Sequence, residues 1–288
     1  MDGIIDLHTH TTASDGSMNP GALVRHARAK GLAAIAVTDH DTVDGIEEAL
    51  EEGEKLGIEV VPGLEISVDY KPEMHILGYF FNNTYKNIRG TLNRLKRSRE
   101  VRNPKIIGKL NELGFCISLD EVKAEAKGEI VGRPHIAKVL MDKGYVKSIE
   151  EAFDKYLSSG KPAYFKKEKL TPEEGIRKII EAGGIPALAH PIYLNLSLSQ
   201  LDDLLGRLKQ AGLKGIEAYY VDNTKDETGN FLRLAMKHEL LATGGSDFHG
   251  SFKPDIEIGV GRGNLQIHYE VLEKLKGIGF ALGRESRT

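Results

Sequence analysis

Nine side chains that can bind metal ions are spread along the sequence, most of them directly after short apolar runs. They are six histidines and three acids, namely His8, His10, Asp15, His40, Glu65, His75, His190, Asp247 and His249. His8 and His10 are two residues apart, so an extended strand places both imidazoles on the same side. Imidazole and carboxylate ligands suit zinc, iron and manganese. Because this set exceeds what one ion takes, the sequence predicts two or three divalent ions bridged by carboxylates, a site that binds phosphate and activates water.

Short strands are the elements that must position these residues. The apolar runs are residues 4–7, 33–37, 59–64, 185–189 and 240–245, and each is followed closely by a candidate ligand. The C-terminal ends of parallel strands meet on one face of an α/β sheet or barrel, so ligands far apart in the chain can share one pocket. Helix signals lie between the runs, such as Asn19-Pro20 before a helix and Gly31 after it. The alternation predicts parallel strands with crossover helices, a further strand at 75–79 and a closing helix at 268–275.

The segment from about residue 83 to 165 has a different character. Strand-like runs are nearly absent, and many of its residues are basic: Arg89, Arg94, Lys96, Arg97, Arg99, Arg102 and Lys105. We predict a mainly helical insertion at 83–165, which serves as a substrate-binding cap on an α/β core formed by 1–82 and 166–288. The α/β pattern returns at Thr171, where the sequence has the form of a capping box.

Composition limits the classes of protein that the chain can represent. Its 288 residues suffice for one large domain or for a core domain with an insertion. The net charge of −3 gives no overall basic surface, so any contact with nucleic acid must be local. No apolar run approaches the roughly 20 residues of a membrane span, and a strand at the start leaves no room for a signal peptide. The single cysteine, Cys116, fits a reducing compartment, and we expect a cytoplasmic protein with no obligate protein partner.

The motifs as a set resemble those of the PHP (polymerase and histidinol phosphatase) family, and the resemblance covers nearly the whole chain. It is carried by His8-Thr9-His10 with Asp15-Gly16, Thr38-Asp39-His40-Asp41, Pro62-Gly63-Leu64-Glu65, Ala189-His190-Pro191 and Ser246-Asp247-Phe248-His249. The resemblance implies an α/β fold, a distorted (β/α)7 barrel related to amidohydrolases, with a trinuclear metal site at the C-terminal ends of its strands.

The same resemblance assigns the ligands to ions. One ion takes His8, His10, Glu65 and Asp247. A second takes Glu65, which bridges, together with His75 and His190. A third takes Asp15, His40 and His249. Asp39 matches no ligand position, so we expect it to orient a metal ligand without binding an ion itself.

Phosphoester hydrolysis is the chemistry that such a site favours. Bridged dications lower the pKa of a shared water and neutralise phosphate oxygens as charge moves to the leaving group. No serine or cysteine in the set is paired with a base, so direct attack by water is expected, and no lysine at a strand end could be carbamylated for amide hydrolysis. A metal-bound water, His249 or Asp247 could protonate the leaving oxygen, and His40 is a further catalytic candidate.

Basic residues of the insertion are candidates for substrate binding. Gly132-Arg133-Pro134-His135 lies at a predicted helix start, where Arg133 and His135 could grip a phosphate. Arg99 and Arg102 lie on a basic helix and could bind a second phosphate away from the metals. The structural alternatives are a solvated helix end for the first pair and a solvated helix face for the second.

Within the family, the chain resembles the small stand-alone bacterial nucleotide phosphoesterases most. Those enzymes act on 3′,5′-bisphosphonucleotides and on short oligonucleotides, and some of them are 5′-to-3′ exonucleases. A histidinol-phosphate phosphatase is the alternative, although those members replace the stretch around Asp15 with one that contains Cys and His. An alternative of another class is an inactive metal-binding scaffold. The expected partner is a phosphorylated small molecule, a nucleotide or a short single-stranded RNA or DNA.

Overall fold

The computed structural model describes residues 3–81, 83–126, 131–166 and 169–285. The chain divides into two compact units: one comprises Met1–Thr91 and Lys169–Thr288, and the other comprises Leu92–Glu168. The predicted role of the segment 83–165 as a substrate-binding cap stays a prediction.

The first unit is built on seven strands that follow one another in the sheet in chain order. They are β1 (Ile5–Thr9), β2 (Ala34–Val37), β3 (Glu59–Val68), β4 (Met74–Phe80), β5 (Gly184–Leu188), β6 (Gly215–Tyr220) and β7 (Leu241–Gly245). β1 also approaches β7, because the backbone N–H of Asp247 donates to the carbonyl of His8 at 2.9 Å and that of His10 to Phe248 at 2.9 Å. The sheet is therefore a nearly closed barrel, which confirms the predicted fold class.

The direction of β4 departs from the prediction of parallel strands. β4 runs antiparallel to both β3 and β5, while the remaining neighbours in the sheet are parallel. β3 does not end at Leu64 as expected but continues to Val68, where a short loop turns it back into β4. His75 consequently lies near the start of its strand. Because β4 is reversed, that start lies at the end of the barrel where the parallel strands terminate, which we call the mouth.

Ten α-helices accompany the strands among the described residues. They are α1 (Pro20–Ala29), α2 (Ile46–Leu56), α3 (Arg89–Glu112), α4 (Leu119–Ala126), α5 (Arg133–Asp142), α6 (Ile149–Ala152), α7 (Pro172–Glu181), α8 (Leu198–Gln210), α9 (Lys225–Lys237) and α10 (Glu270–Glu285). The Asn19 side chain caps α1 by accepting from the N–H of Ala22 at 2.7 Å. The capping box predicted at Thr171 is present at the start of α7. No helix in these ranges is both long enough and apolar enough to cross a membrane.

The barrel has an apolar interior and an apolar outer layer. On β2, Ala34 and Ala36 belong to the interior cluster, while Ile35 and Val37 pack with residues of α1 and α2 outside it. This alternation follows from the two-residue period of a strand. The closing helix α10 contacts the end of the barrel at which the parallel strands begin. There Lys276 Nζ lies 2.8 Å from a carboxylate oxygen of Glu59 at the start of β3. The C-terminal ends of the parallel strands are thus the end at which α10 does not pack.

The second unit has its own core. Within its described residues all regular structure is helical, as predicted. Ile106 and Leu110 of α3, Val122 of α4 and Ile136 and Leu140 of α5 are fully buried together.

Close approach of β7 to β1 at Gly245 gives a stability prediction. A Cβ at Gly245 would lie 2.5 Å from the backbone nitrogen of His8, so we expect Gly245→Ala to push the strands apart and lower the free energy of unfolding by about 1–3 kcal/mol. At Gly277 in α10 a Cβ would meet no atom, and Gly277→Ala should leave stability equal or raise it by about 0.5–1 kcal/mol. Urea unfolding followed by circular dichroism measures both, and an unchanged midpoint for Gly245→Ala would contradict the packing described.

Candidate metal centre

The carboxylate of Glu65 is the centre of the cluster at the barrel mouth. Its Oε1 lies 2.8 Å from Nδ1 of His75 and 2.8 Å from Nε2 of His190. Its Oε2 lies 3.2 Å from Nε2 of His8, 3.3 Å from Nε2 of His10 and 3.2 Å from Nδ1 of His40. Glu65 is fully buried. One carboxylate therefore contacts five imidazoles.

The predicted ligands fall into overlapping groups whose donor atoms lie within 4.8 Å of one another. These groups are His8, His10, Glu65 and Asp247; His10, Asp15, His40 and His249; and His40, Glu65 and His75. His190 adjoins the last group, because its Nε2 lies 3.3 Å from Nδ1 of His75. The structure thus brings all nine predicted ligands to one place. Their assignment to individual ions stays a prediction.

The loop that carries Asp15 is held by Asp39. The Asp39 carboxylate accepts hydrogen bonds from the backbone N–H of Thr11 at 2.7 Å, from the Thr11 hydroxyl at 2.7 Å and from the Ser14 hydroxyl at 2.6 Å. Asp15 itself projects to within 3.4 Å of His249 Nε2 and 3.5 Å of His10 Nδ1. Asp39 therefore acts on the site by fixing the backbone of this loop.

Irregular backbone conformation directs several metal-binding side chains toward the mouth. The pairing of β1 with β2 shifts register between Asp6 and Thr9, so that Leu7 joins the apolar interior while the next residue, His8, reaches the cluster. His190 and Asp247 have positive φ angles of 25° and 54°, a region that non-glycine residues rarely occupy. Such strain is concentrated at functional sites, where the surrounding contacts maintain it.

Three residues of the site do not stand out in the sequence analysis. Glu217 Oε1 lies 2.9 Å from Nδ1 of His8, and its Oε2 accepts from the backbone N–H of His190 at 2.7 Å. Tyr220 and Lys253 both donate to Oδ2 of Asp247, at 2.9 and 2.7 Å. Glu217 leaves Nε2 of His8 to face the cluster, a carboxylate–imidazole arrangement typical of metal sites. An acid inside the apolar strand Gly215–Tyr220 is the sequence signal that marks Glu217.

Opposite charges decide the protonation of the cluster. Burial raises the pKa of Glu65, but His40, His75 and His8 outweigh it and hold that pKa well below the usual range. Burial lowers the pKa of His10, but the carboxylates of Asp247 and Glu65 raise it overall to about 9. Burial dominates at His40 and lowers its pKa to about 4. Glu65 is therefore ionised and attracts positive charge into the mouth.

The donor set fits divalent metal ions. Within the described residues, the buried ring nitrogens of His10 and Nδ1 of His40 make no well-aligned hydrogen bond, although carboxylate oxygens lie 3.0 Å from Nε2 of His10 and 3.2 Å from Nδ1 of His40. Buried polar atoms of this kind are costly unless something satisfies them. A divalent ion would take the lone pair of one nitrogen on each neutral ring, which supports the predicted manganese, iron or zinc cofactor.

The predicted substrate residues all lie in the second unit, and their surroundings differ from one residue to the next. Arg133 donates to the carbonyl of Leu157 at 2.9 Å and lies over the rings of Phe153 and Tyr164. His135 accepts from the N–H of Gly132 at 3.0 Å and so caps α5. The side chain of Arg99 lies outside the described residues. Whether any of these residues binds substrate stays a prediction.

Arg102, the fourth predicted substrate residue, lies beside a cationic cavity of about 450 Å³ in the second unit. The cavity is lined by Arg94, Arg97, Arg102, Lys105 and Lys166, with the aromatic ring of Phe165 among them. The guanidinium of Arg102 is buried and bonded to the side chain of Asn103 at 2.8 Å. A concentration of positive charge beside an aromatic ring suits an anionic ligand.

Comparison with known proteins finds relatives over most of the chain. A model of the PHP domain matches residues 6–168. The chain is 38% identical over 245 residues to a 5′-3′ exoribonuclease of Haemophilus influenzae, covering 85% of this chain and 89% of that protein. It is 30% identical over 257 residues to a 3′,5′-nucleoside bisphosphate phosphatase of Chromobacterium violaceum, covering 88% and 90%. A solved structure of a proposed metal-dependent phosphoesterase from Bifidobacterium adolescentis matches with a TM-score of 0.75 at 30% identity and covers 94% of both chains.

The central position of Glu65 gives a prediction about metal content. We expect Glu65→Gln to lose most of its bound manganese, because a neutral amide cannot bridge cations as the carboxylate does. The matched control is His238→Gln, which alters a histidine paired with Asp202 at 2.6 Å outside the cluster. Manganese per chain is measured by mass spectrometry after loading and gel filtration. Equal metal content in the Glu65→Gln variant and the wild type would exclude the bridging role.

Proposed function

The chain belongs to the PHP domain family and is a metal-dependent phosphoesterase, and we propose that it hydrolyses nucleotide phosphoesters with two or three divalent ions at the barrel mouth. Its proposed substrates are 3′,5′-bisphosphonucleotides and short oligonucleotides cut from the 5′ end, as the names of the relatives suggest. The main support for the proposal is the meeting of nine donor residues, with the buried carboxylate of Glu65 at their centre.

Some residues of the mouth are proposed to bind the metal ions, and others to orient the side chains that do so. When bound, divalent ions supply Lewis acidity that lowers the pKa of a water molecule and neutralises phosphate oxygens. Lys253 and Tyr220 hold Oδ2 of Asp247, so that Oδ1 faces His8 and His10 at 3.4 and 3.0 Å. Nδ1 of His249 donates to the carbonyl of Asp247 at 2.7 Å, which leaves Nε2 to face Asp15.

Protonation of the leaving oxygen is proposed for a group at this mouth, with Asp247, His249 and His40 as candidates. The side chain of His40 is 25% exposed, whereas those of His249 and Asp247 are each 8% exposed. The greater exposure favours contact of His40 with a substrate that enters from solvent. Its pKa of about 4, lowered by burial, leaves the ring uncharged near neutral pH, so exposure alone does not make it the proton donor.

The cationic cavity of the second unit is the candidate for the predicted phosphate-binding site away from the metals. Five basic side chains around one cavity of about 450 Å³ offer several charge-assisted hydrogen bonds. We propose that Arg97, Arg102 and Lys105 bind a phosphate there. Arg133 is a weaker candidate, because it does not line this cavity and its guanidinium contacts the Leu157 carbonyl and two aromatic rings.

The alternatives have less support. The relatives compared above are named for action on RNA and nucleoside bisphosphates, which does not favour a histidinol-phosphate phosphatase. An inactive scaffold would be expected to have lost ligands, whereas all nine donors are present and close together.

Substrate preference tests the proposal. With manganese, we expect the wild type to release phosphate from adenosine 3′,5′-bisphosphate or cut a 5′-phosphorylated trinucleotide faster than it hydrolyses AMP or histidinol phosphate. His8→Ala should abolish turnover, since it removes a donor that contacts both Glu65 and Asp247. Arg97→Ala should raise KM for the bisphosphate about tenfold, as loss of one charge-assisted hydrogen bond implies, with little effect on AMP.

A basic residue elsewhere provides the control for Arg97→Ala. Arg207 lies in the last turn of α8 in the first unit, and Arg207→Ala should leave KM for every substrate unchanged. Turnover of histidinol phosphate alone would contradict the nucleotide assignment. Absence of any turnover in protein that retains manganese would favour the scaffold alternative.

A further inference from the structure

Tyr193 presents an exposed aromatic ring beside the cluster. It belongs to the short 3-10 helix Pro191–Leu194, which begins directly after His190. Its ring centroid lies 5.3 Å from that of His190, and the residue is 43% exposed. A substrate whose phosphate occupies the mouth would therefore pass close to a flat apolar surface.

Polar and aromatic contacts hold this ring in place. The Tyr193 hydroxyl donates to the carboxylate of Asp222, which pairs with Arg262. Arg262 also donates from Nε to Asp255 at 2.7 Å. On its inner side, the ring packs edge-on against Tyr220 with centroids 5.7 Å apart. An aromatic surface fixed in this way loses little conformational entropy when a ligand covers it.

We propose that Tyr193 is the stacking surface for the nucleobase of the substrate, and that it makes the enzyme prefer nucleotides to base-free sugar phosphates. This inference rests on the proposed nucleotide phosphoesterase function. Stacking of a base on an aromatic side chain contributes about 1–3 kcal/mol and tolerates any base, because every base has a π face. Tyr193 accordingly selects for the presence of a base and discriminates weakly among adenine, guanine, cytosine and uracil.

Phe252 is the competing aromatic residue. It is 62% exposed and lies in the 3-10 helix Gly250–Phe252, which follows His249. A phenylalanine has no hydroxyl through which its ring could be fixed, whereas the ring of Tyr193 is fixed at its outer end by Asp222. This difference favours Tyr193 as the preorganised surface.

A pair of substrates that differ only in the base tests the proposal. Adenosine 3′,5′-bisphosphate is compared with 1-deoxyribose 3,5-bisphosphate, which lacks the base and keeps the 2-hydroxyl, for the wild type, Tyr193→Ala, Tyr193→Phe and Phe252→Ala. In Tyr193→Ala, KM for the adenosine compound should rise about tenfold with kcat nearly constant, and KM for the base-free compound should not change. Tyr193→Phe keeps the ring but loses the hydrogen bond to Asp222 that fixes it, so its KM should lie between those of the wild type and Tyr193→Ala. Phe252→Ala should behave as the wild type.

Binding without turnover separates this inference from the function on which it rests. Isothermal titration of the manganese-loaded protein with non-hydrolysable methylene-phosphonate analogues of AMP and of ribose 5-phosphate gives the same comparison of affinities. If the wild type binds the AMP analogue more tightly but turns over no nucleotide, the proposed function fails and the stacking role stands. If Tyr193→Ala weakens both analogues equally or neither, or if only Phe252→Ala weakens the AMP analogue, the stacking role of Tyr193 is overturned.

Discussion

The buried carboxylate of Glu65 is the constraint on which the rest of the barrel mouth depends. Its two oxygens contact imidazoles from the end regions of β1, β2, β4 and β5, through His8, His10, His40, His75 and His190. Two ionised oxygens cannot be buried among apolar groups without compensation, so these strand ends must converge on Glu65. The nearly closed barrel is the architecture that brings them there. Divalent ions placed between the same groups would strengthen this convergence.

Other buried acids at the mouth orient the backbone and side chains around the donors. Asp6 accepts from the N–H and hydroxyl of Ser246, at 2.9 and 2.5 Å, and thereby ties β1 to the loop that carries Asp247. Asp39 fixes the loop of Asp15, and Glu217 holds both the ring of His8 and the backbone of His190. Each of these carboxylates follows or interrupts an apolar run, as the donors themselves do. An acid that follows or interrupts an apolar run is therefore a candidate for the mouth, but the partners of each residue are decided by tertiary contacts.

The sequence predicts the donors because their spacing follows the strands, and it predicts less where direction and side-chain contacts matter. An apolar run has the same pattern in either direction, so the run at 75–79 could not by itself reveal that β4 is antiparallel. The short link at residues 69–73 is the available signal, since a parallel crossover needs about a dozen residues or more. Arg133 illustrates the second limit, because local sequence does not show that Phe153 and Tyr164 lie against its guanidinium.

Anomalous diffraction from crystals soaked in manganese shows whether ions bind around Glu65, because it locates them without reference to activity. We expect two or three manganese peaks around the carboxylate of Glu65, each within coordination distance of imidazoles from different strands. Peaks absent from this cluster, or present only at exposed surface carboxylates, would contradict this expectation.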